Sequence, residues 1–407
     1  MRILTVHEYY QQPGGEDTVF QAESEILRAA GHEVIAYTRD NDEIARYAVA
    51  RHAALAAHTL WNRSSYDDIK RLIQRERPEI AHFHNTFPLI SASGYYACHS
   101  AGIPVVQTLH NPRLMCPAAT LYRNDSLCRD CVGKLLAWPG VFHACYRHSR
   151  LQTAVVASML ALHRMLGTWE TQIDTYIAST EFYRGMMIEA GLPPKKITVK
   201  PHFVAHDPGP RDGRGDFALY IGRLAPEKGV HTLLDAWSGL TDVPLKIRGD
   251  GPLLPVVERA ADPNFSNIQV LPRVQREEMA TLIKGARFLV WPSLGYYETF
   301  GLVAIEAFSC GVPVIASGVG AMAEVVSHGR TGLHFAPGDA MDLTAKVKWA
   351  WTHPDEMEVM GHNARGEYEK KYTRGPNYCQ LIEIYKEATN RSSAQDGSVP
   401  SHVHEGV

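Results

Sequence analysis

The feature that most constrains the fold is an alternation, repeated in both halves of the chain, of short apolar runs and longer amphipathic stretches. In the first half, four apolar runs are predicted strands: Arg2–Val6, Glu33–Tyr37, Ile80–His84 and Val105–Leu109. Strands separated by helical patterns are typical of parallel sheets with helices on both faces. The first half therefore predicts a Rossmann-like α/β domain.

The second half repeats this alternation of strand and helix patterns after a stretch rich in proline and glycine. Its first predicted strands are Ala218–Ile221, Leu245–Arg248, Phe288–Trp291 and Val314–Ala316. The intervening Pro201–Asp216 has the composition of a linker. We therefore expect two Rossmann-like domains facing across a cleft, over residues 1–200 and 217–375, joined by a linker at 201–216. The polar composition after residue 388 predicts a disordered tail over 389–407.

Charge and hydropathy exclude several functional classes. The chain has 41 Lys and Arg against 44 Asp and Glu, a net charge of −3, which argues against a nucleic-acid-binding protein. No apolar run reaches the roughly 18 residues that a membrane-spanning helix needs. Met1–Val6 is predicted as a first strand and not as a signal peptide, so we expect a cytoplasmic protein.

One loop of the second half could bind an anion, and a second could allow close approach of a ligand. Gly222–Gly229 lies between a predicted strand and a helix, and its glycines would present backbone N–H groups while Arg223 and Lys228 add positive charge. The same loop could equally be an ordinary turn with solvated charges. Gly249, in the next such loop, would allow another group to approach the backbone closely.

A third motif places two glutamates around the start of a predicted helix. Glu298 precedes this helix, and Glu306 lies within it among apolar neighbours. Burying a carboxylate there is costly unless it is hydrogen-bonded, and the two vicinal hydroxyls of a ribose would satisfy it. The alternative is a glutamate on an exposed helix face. The first free N–H groups of the helix would point toward an anion; they belong to Phe300, Gly301 and Leu302.

These pieces, in this order, resemble the retaining glycosyltransferase family four, also called group 1, whose members have the GT-B fold. The match consists of the Gly-Arg-Leu-x-x-Glu-Lys-Gly run, then Gly-Asp-Gly-Pro, then two glutamates with seven residues between them, and it continues through Ala307–Ser317 and Glu324–Gly332. The resemblance covers roughly residues 1–388. It implies a GT-B architecture in which a last helix, at 376–388, crosses back onto the first domain.

The resemblance also implies roles for the second-domain residues. Arg223 and Lys228 would hold the donor diphosphate, Glu306 would bind the nucleotide ribose, and Glu298 would lie at the reacting anomeric centre. Backbone contacts to the donor are implied at Gly222, Gly249, Val274, Phe300, Gly301 and Leu302.

In the first domain, the resemblance singles out two places. The glycine pair Gly14-Gly15 follows the first strand and would lie against the donor phosphates. His110 follows another strand and matches the histidine that the family places near the donor sugar. His82 and His84 could be core or site residues.

The implied activity is retaining transfer of a sugar from a UDP-, GDP- or other nucleotide-sugar to an acceptor hydroxyl, by front-side displacement without a catalytic divalent metal. The acceptor could be a glycan, a lipid-linked molecule or a small molecule. Alternatives are another GT-B enzyme, such as a nucleotide-sugar epimerase or a phosphorylase, and a nucleotide-sugar-binding protein without catalysis. The formal Asp-x-Asp at Asp40–Asp42 is not expected to bind a metal.

An insertion at 111–146 concentrates four of the seven cysteines: Cys116, Cys128, Cys131 and Cys145. One Cys-x-x-Cys pair with two further thiols could close a structural zinc site. Free buried thiols and a disulfide pair are the alternatives. Because the insertion follows His110, we expect it on the acceptor side of the cleft.

The stretch that follows, Tyr146–Trp169, is apolar and edged by arginines. Such a stretch could make peripheral contact with a membrane surface. The pattern favours packing against other helices instead.

Overall fold

A computed structural model describes residues 1–11, 14–45, 49–124, 126–262, 267–272, 276–295 and 298–396. Within these residues the chain forms two parallel α/β sheets and one small hairpin. No helix in this part of the chain combines the length and hydropathy that crossing a bilayer requires.

The first sheet has six parallel strands in the order β2-β1-β3-β4-β7-β8. A separate antiparallel hairpin is formed by β5 and β6. The strands before residue 200 are β1 (Arg2–Tyr9), β2 (Glu33–Asp40), β3 (Ile80–Phe83), β4 (Val105–Thr108), β5 (Tyr122–Arg123), β6 (Ser126–Leu127), β7 (Thr175–Ala178) and β8 (Ile197–Val199). The helices of this half are α1 (Gly15–Ala29), α2 (Asp42–Ala45), α3 (Val49–Leu60), α4 (Arg63–Glu76), α5 (Ser93–His99), α6 (Trp138–Phe142), α7 (Arg150–Met165), α8 (Thr168–Thr171) and α9 (Glu181–Glu189).

The second sheet also has six parallel strands, in the order β11-β10-β9-β12-β13-β14. Its strands are β9 (Phe217–Ile221), β10 (Leu245–Arg248), β11 (Ile268–Leu271), β12 (Ala286–Trp291), β13 (Val314–Ser317) and β14 (Gly332–Phe335). The helices of this half are α10 (Val230–Trp237), α11 (Leu254–Ala260), α12 (Arg276–Lys284), α13 (Leu302–Ser309), α14 (Gly320–Val325), α15 (Ala340–Thr352), α16 (Pro354–Lys371) and α17 (Arg374–Asp396).

Each sheet is buried on both faces because alternate side chains point to opposite sides. In β1, Leu4 and Val6 belong to one apolar cluster, whereas Ile3 belongs to another on the opposite face. This two-sided burial explains why the strands are nearly continuous apolar runs.

The C-terminal helix α17 covers one face of the first sheet. Its buried Leu381, Ile384 and Tyr385 share an apolar cluster with Ile3 and Ile80. The helix extends to Asp396, so the tail expected to begin at residue 389 is helical for its first eight residues. The remainder, 397–407, lies outside the described residues.

Helix α7 lies within Tyr146–Trp169. For this stretch the sequence left two alternatives open, contact with a membrane surface and packing against other helices. Its Val156, Met159 and Leu160 are buried against Phe87. This face of α7 therefore packs within the first domain, as the sequence pattern favoured.

Candidate functional site

The core of the candidate site is an ion pair between two loops of the second half. A short 3-10 turn after β9 ends at Lys228, whose Nζ lies 2.8 Å from Oε2 and 3.0 Å from Oε1 of Glu298. The Trp291 indole and the Ser293 hydroxyl also donate to Oε2 of Glu298, at 3.1 and 2.9 Å. Sequence placed both charged residues in the site but did not predict their mutual contact or the two neutral donors.

These contacts keep the buried carboxylate ionised. Burial alone would raise the pKa of Glu298, but Lys228, Trp291 and Ser293 outweigh it and hold that pKa below its ordinary value. The site therefore presents an anionic oxygen and an ammonium group side by side, next to a helix start.

Two glycines allow the backbone around this ion pair to pack closely. Gly301 has φ +94°, and a Cβ there would lie 2.0 Å from the Trp291 ring. A Cβ on Gly249 would lie 2.1 Å from the carbonyl oxygen of Gly222. No side chain fits at either position, so the packing of the loops requires glycine.

The start of α13 faces the first half across the cleft. The helix begins at Leu302, so its first N–H groups have no acceptor within the helix. A Cβ on Gly15 would lie 3.2 Å from Leu302 Cδ1. The glycine pair and this helix start, far apart in sequence, therefore lie opposite each other.

Asp17 anchors the glycine pair on its own side. The Gly14 N–H donates to Asp17 Oδ2 at 2.7 Å, and the other carboxylate oxygen lies 2.8 Å from His7 Nε2. Gly14 and Gly15 are exposed. Their backbone is thus fixed at the start of α1 while its surface stays open toward the cleft.

Thr299 links the second half to His110. Its hydroxyl donates to the His110 carbonyl oxygen at 3.2 Å. The Ser179 and Thr180 hydroxyls donate to the Thr299 carbonyl oxygen, at 2.8 and 3.1 Å. His110 is therefore held beside the loop that carries Glu298.

Four histidines form a continuous row that ends at the cleft, and we call it the histidine row: His82, His84, His110 and His202. Neighbouring ring centroids lie 4.3, 5.3 and 5.6 Å apart in that order. His84 Nδ1 lies 3.1 Å from His110 Nε2, and the His202 ring packs edge-on against Phe300. The row connects the interior of the first domain to the loop before α13.

Burial keeps the histidine row neutral. Loss of hydration lowers the pKa of His82 to about 4 and that of His202 to about 3. It also lowers the pKa values of His84 and His110 well below the ordinary value, and neighbouring positive charge adds to the effect. At neutral pH, His110 therefore offers one N–H donor and one nitrogen acceptor.

A buried ion pair lies behind the row. Lys200 Nζ lies 2.7 Å from Glu23 Oε1 and 2.9 Å from Asn377 Oδ1 of α17. Burial raises the pKa of Glu23, but the Lys200 ammonium outweighs it, so the carboxylate stays ionised. Glu23, His82 and His84 are spaced closely enough for a metal ion, but the Lys200 ammonium already neutralises that carboxylate.

The other residues that the sequence predicted to bind the nucleotide-sugar lie in different environments. The Arg223 side chain is exposed, and its carbonyl oxygen accepts from the Tyr220 hydroxyl at 2.9 Å. Glu306 is half-buried on α13. Val274 lies outside the described residues.

One site residue that sequence did not single out is Glu16, next to the glycine pair. Its Oε2 lies 3.5 Å from Asn111 Nδ2, on the turn that follows His110. Burial raises the pKa of Glu16 to about 8, with the nearby Asp17 charge adding to the effect and Arg113 opposing it. A carboxyl group that titrates near neutral pH thus lies on the first-domain side of the cleft.

Two family models match consecutive parts of the chain. "Glycosyltransferase Family 4" matches residues 13–207, and "Glycosyl transferases group 1" matches residues 205–367. The chain belongs to the family 4, group 1 glycosyltransferases. The junction of the two matches falls between the two sheets.

Curated relatives match parts of this family 4 chain. The D-rhamnosyltransferase WbpZ of Pseudomonas aeruginosa is 34% identical over 182 residues, covering 44% of this chain and 46% of the relative. The D-inositol 3-phosphate glycosyltransferase of Gordonia bronchialis is 29% identical over 260 residues, covering 57% of this chain and 56% of the relative. The chain spans about half the length of the curated relatives it matches.

A solved structure of similar fold matches nearly all of this chain. The Anabaena protein HepE, in complex with UDP and glucose, matches 95% of this chain and 99% of its own, with a TM-score of 0.65 and 16% identity. Together with the two facing parallel sheets and the returning helix α17, this likeness identifies the GT-B fold that the sequence implied.

The spacing of the four cysteines in the insertion does not support the zinc site that sequence left open. Cys116, Cys128, Cys131 and Cys145 are free thiols, and among the described residues no three of their sulfurs lie within 4.8 Å of one another. A tetrahedral thiolate site needs metal–sulfur distances near 2.3 Å. Burial raises the pKa of Cys131 to about 11, and its three neighbouring thiols add to the effect. The thiols thus share one neighbourhood without metal-binding spacing, and a disulfide is not formed.

The Asp-x-Asp at the end of β2 has local partners. Asp40 Oδ1 accepts from the Asp42 N–H at 2.8 Å, at the start of α2. Arg39, beside it, pairs with Glu43 at 2.6 Å. This arrangement fits a helix start.

Proposed function

We propose that this chain transfers a sugar from a nucleoside diphosphate sugar to an acceptor hydroxyl, with retention of anomeric configuration. The observation that carries the proposal is the Lys228–Glu298 pair beside the start of α13, directly across the cleft from Gly15. A diphosphate bound there would meet an ammonium group and free helix N–H groups together.

The second domain would supply most of the catalytic electrostatics. Lys228, exposed Arg223 and the N–H groups of Phe300, Gly301 and Leu302 would stabilise the negative charge that grows on the leaving diphosphate as the glycosidic bond breaks. Glu298 would hold hydroxyls of the transferred sugar, and Glu306 would bind the ribose.

The first domain would position the acceptor and the sugar. In a front-side displacement, the leaving diphosphate oxygen takes the proton of the acceptor hydroxyl as the new C–O bond forms. The protein's share is then orientation and electrostatic stabilisation. The Gly14-Gly15 backbone would contact the diphosphate, and neutral His110 would hydrogen-bond the sugar.

We further propose that the chemistry needs no divalent metal. Lys228 and Arg223 would do what a metal does in other nucleotide-sugar enzymes, and the Asp40 carboxylate accepts a hydrogen bond at the start of α2. Transfer is expected to persist in EDTA.

The donor base can be identified by ligand-induced stabilisation. Thermal unfolding would be followed with UDP, GDP, ADP and TDP separately, since a ligand that binds the folded state raises Tm by mass action. HepE was solved with UDP and glucose, so UDP is the first nucleotide to test. The Lys228→Ala variant, which removes the cation, should show a much smaller shift.

Stereochemistry then tests the reaction itself. With the stabilising nucleotide as an α-linked glucose or mannose donor, NMR of the released or transferred sugar would show an α-anomeric signal first. A β product would contradict retention. Binding without any transfer or donor hydrolysis, across simple glycoside acceptors, would contradict catalysis and favour a non-catalytic binding protein.

A further inference from the structure

A cationic, apolar face lies on the cysteine insertion and the helices that follow it. Most of the large apolar side chains that the described residues expose belong to it, and we call this set the α6–α7 face: Leu135, Leu136, Trp138, Phe142, Leu151, Met165 and Leu166. Buried α7 residues pack inward, so these exposed residues are not part of the domain core. Such clustering of exposed apolar residues marks an interaction surface.

The geometry of α6 and α7 brings this set together. Trp138 and Phe142 stand four residues apart on α6 and share one side of it. The Arg150 guanidinium lies 5.7 Å from the centre of the Phe142 ring, at one end of α7. At the other end, Arg164 of α7 donates to the Lys134 carbonyl, next to Leu135.

The charged side chains of the segment that forms this face are all positive. From Cys131 to Trp169 the sequence contains no Asp or Glu, although the whole chain carries a net charge of −3. In the same segment lie Lys134, Arg147, Arg150 and Arg164. Across the described ranges, no ion pair joins Lys134, Arg147 or Arg150 to an acidic side chain. This face therefore carries a local excess of positive charge, which would complement a partner of negative charge.

We propose that the α6–α7 face docks the enzyme on an anionic phospholipid bilayer. Trp138, Phe142 and Leu151 would enter the headgroup and upper acyl region, and Arg147 and Arg150 would contact lipid phosphates. Apolar burial combined with attraction to anionic lipid is how interfacial helices bind membranes. A second copy of this chain fits less well, since a symmetric contact would bring the same cations of both copies together.

The insertion that carries Trp138 and Phe142 also contacts the second domain. The β5–β6 hairpin of the insertion reaches the second domain, where a Cβ on Gly295 would lie 2.5 Å from Leu127 Cδ2. Docking would therefore hold the cleft close to the bilayer surface. This inference concerns membrane binding and does not depend on the proposed sugar transfer.

The test is sedimentation of the full chain with vesicles of phosphatidylcholine alone or with added phosphatidylglycerol. We expect binding that requires the anionic lipid and weakens in about 0.5 M NaCl. The double variant Trp138→Ser/Phe142→Ser should lose about tenfold or more of this binding, and Arg147→Glu/Arg150→Glu should lose the preference for anionic vesicles. Unchanged Tm values would show that the variants fold.

The chain offers a matched control on its second half. Met341 and Val359 are 84% and 60% exposed, and Met341→Ser/Val359→Ser should leave vesicle binding unchanged. Absence of anion-dependent binding by the wild type, or equal binding by the α6 variant and this control, would overturn the proposal. So would a wild-type dimer, seen by light scattering without vesicle binding, that Trp138→Ser/Phe142→Ser dissociates.

Discussion

At the scale of single residues, the site depends on one buried charge neutralising another. Glu298 is ionised because Lys228 and two neutral donors outweigh the cost of burial. Neither charge is stable there alone, since removing one partner leaves an uncompensated charge in a low-dielectric place.

Replacing Lys228 by alanine is therefore expected to slow sugar transfer by about 10²–10³-fold, the cost of one lost electrostatic group. The pKa of Glu298 should rise as burial is no longer opposed by the ammonium. Transfer would be measured by chromatography of the released nucleotide. Lys346→Ala, at a surface pair with Asp342, is the control, and a Lys228→Ala rate within a few-fold of that control would contradict the assignment.

The histidine row makes a second residue-scale prediction, on pH. The pKa of His82 is lowered to about 4 by burial, so between pH 6.5 and 4 the unfolded chain takes up a proton that the folded chain does not. The free energy of unfolding therefore keeps this contribution of neutral His82 above pH 6.5. As pH falls from 6.5 toward 4, the free energy of unfolding decreases by about 1 kcal/mol per pH unit.

His82→Gln should remove that proton uptake. Urea unfolding at pH 6 and pH 5 would then show a smaller loss of stability for the variant than for the wild type. Exposed His206 supplies the control, and His206→Gln should lose stability between the two pH values as the wild type does. Equal losses for His82→Gln and the wild type would show that His82 does not contribute this way.

Sequence predicted the residues with short-range motifs and missed those brought together by packing. Lys228 and Glu298 each stand in a recognisable run. Lys200 and His202 stand in no such run, and nothing in the local sequence indicates that Lys200 contacts Glu23, 177 positions away. The sequence did contain one signal for the histidine row. Several histidines stand at or just after the carboxyl ends of predicted parallel strands, which is where ligands bind in open α/β sheets.

At the scale of elements, α13 and its glycine start decide the geometry of the candidate site. Gly301→Ala would force a Cβ into the Trp291 ring and strain a backbone with φ +94°. We expect a loss of about 2–5 kcal/mol of stability, from strain and overpacking together, and a weaker nucleotide-induced rise in Tm.

The matched control is Gly366→Ala in α16, where an added Cβ meets nothing within 4 Å. This change should raise stability by up to about 1 kcal/mol, because alanine favours helix. Thermal unfolding of both variants with and without UDP checks the pair. Similar stabilities of the two variants would show that the Gly301 conformation is not required.

Element prediction succeeded where the pattern was strong. The buried strands β1, β3, β4 and β12 are apolar runs that sequence located. The first-sheet strands β7 and β8 were not among the predicted ones, since runs of three or four residues next to helices give little periodicity. The end of α17 was misplaced because its polar last turns resemble a disordered segment in composition.

At the scale of the whole molecule, α17 ties the two halves together. It leaves the second half after α16 and buries Leu381, which has no exposed surface, in the first-domain core. Leu381→Ala should cost about 2–5 kcal/mol, the range for a buried leucine truncated without relaxation.

Glu383, exposed on the same helix, provides the comparison for this prediction. Glu383→Ala should change stability by less than about 0.5 kcal/mol. Thermal unfolding monitored by circular dichroism would measure both. Equal Tm values would mean that α17 contributes little to the first domain.

The sequence by itself determined the fold class, the family and the second-domain motifs of the candidate site. Those depend on strand–loop–helix units whose glycines and charges lie within a few residues of one another. The tertiary structure decided the rest. It placed Gly15 opposite Leu302 and assembled the histidine row with its buried Lys200–Glu23 pair. It also set the distances between the four thiols and left the α6–α7 face exposed. These depend on which distant segments pack together, because long-range contacts between sheets and helices leave no fixed spacing in the chain.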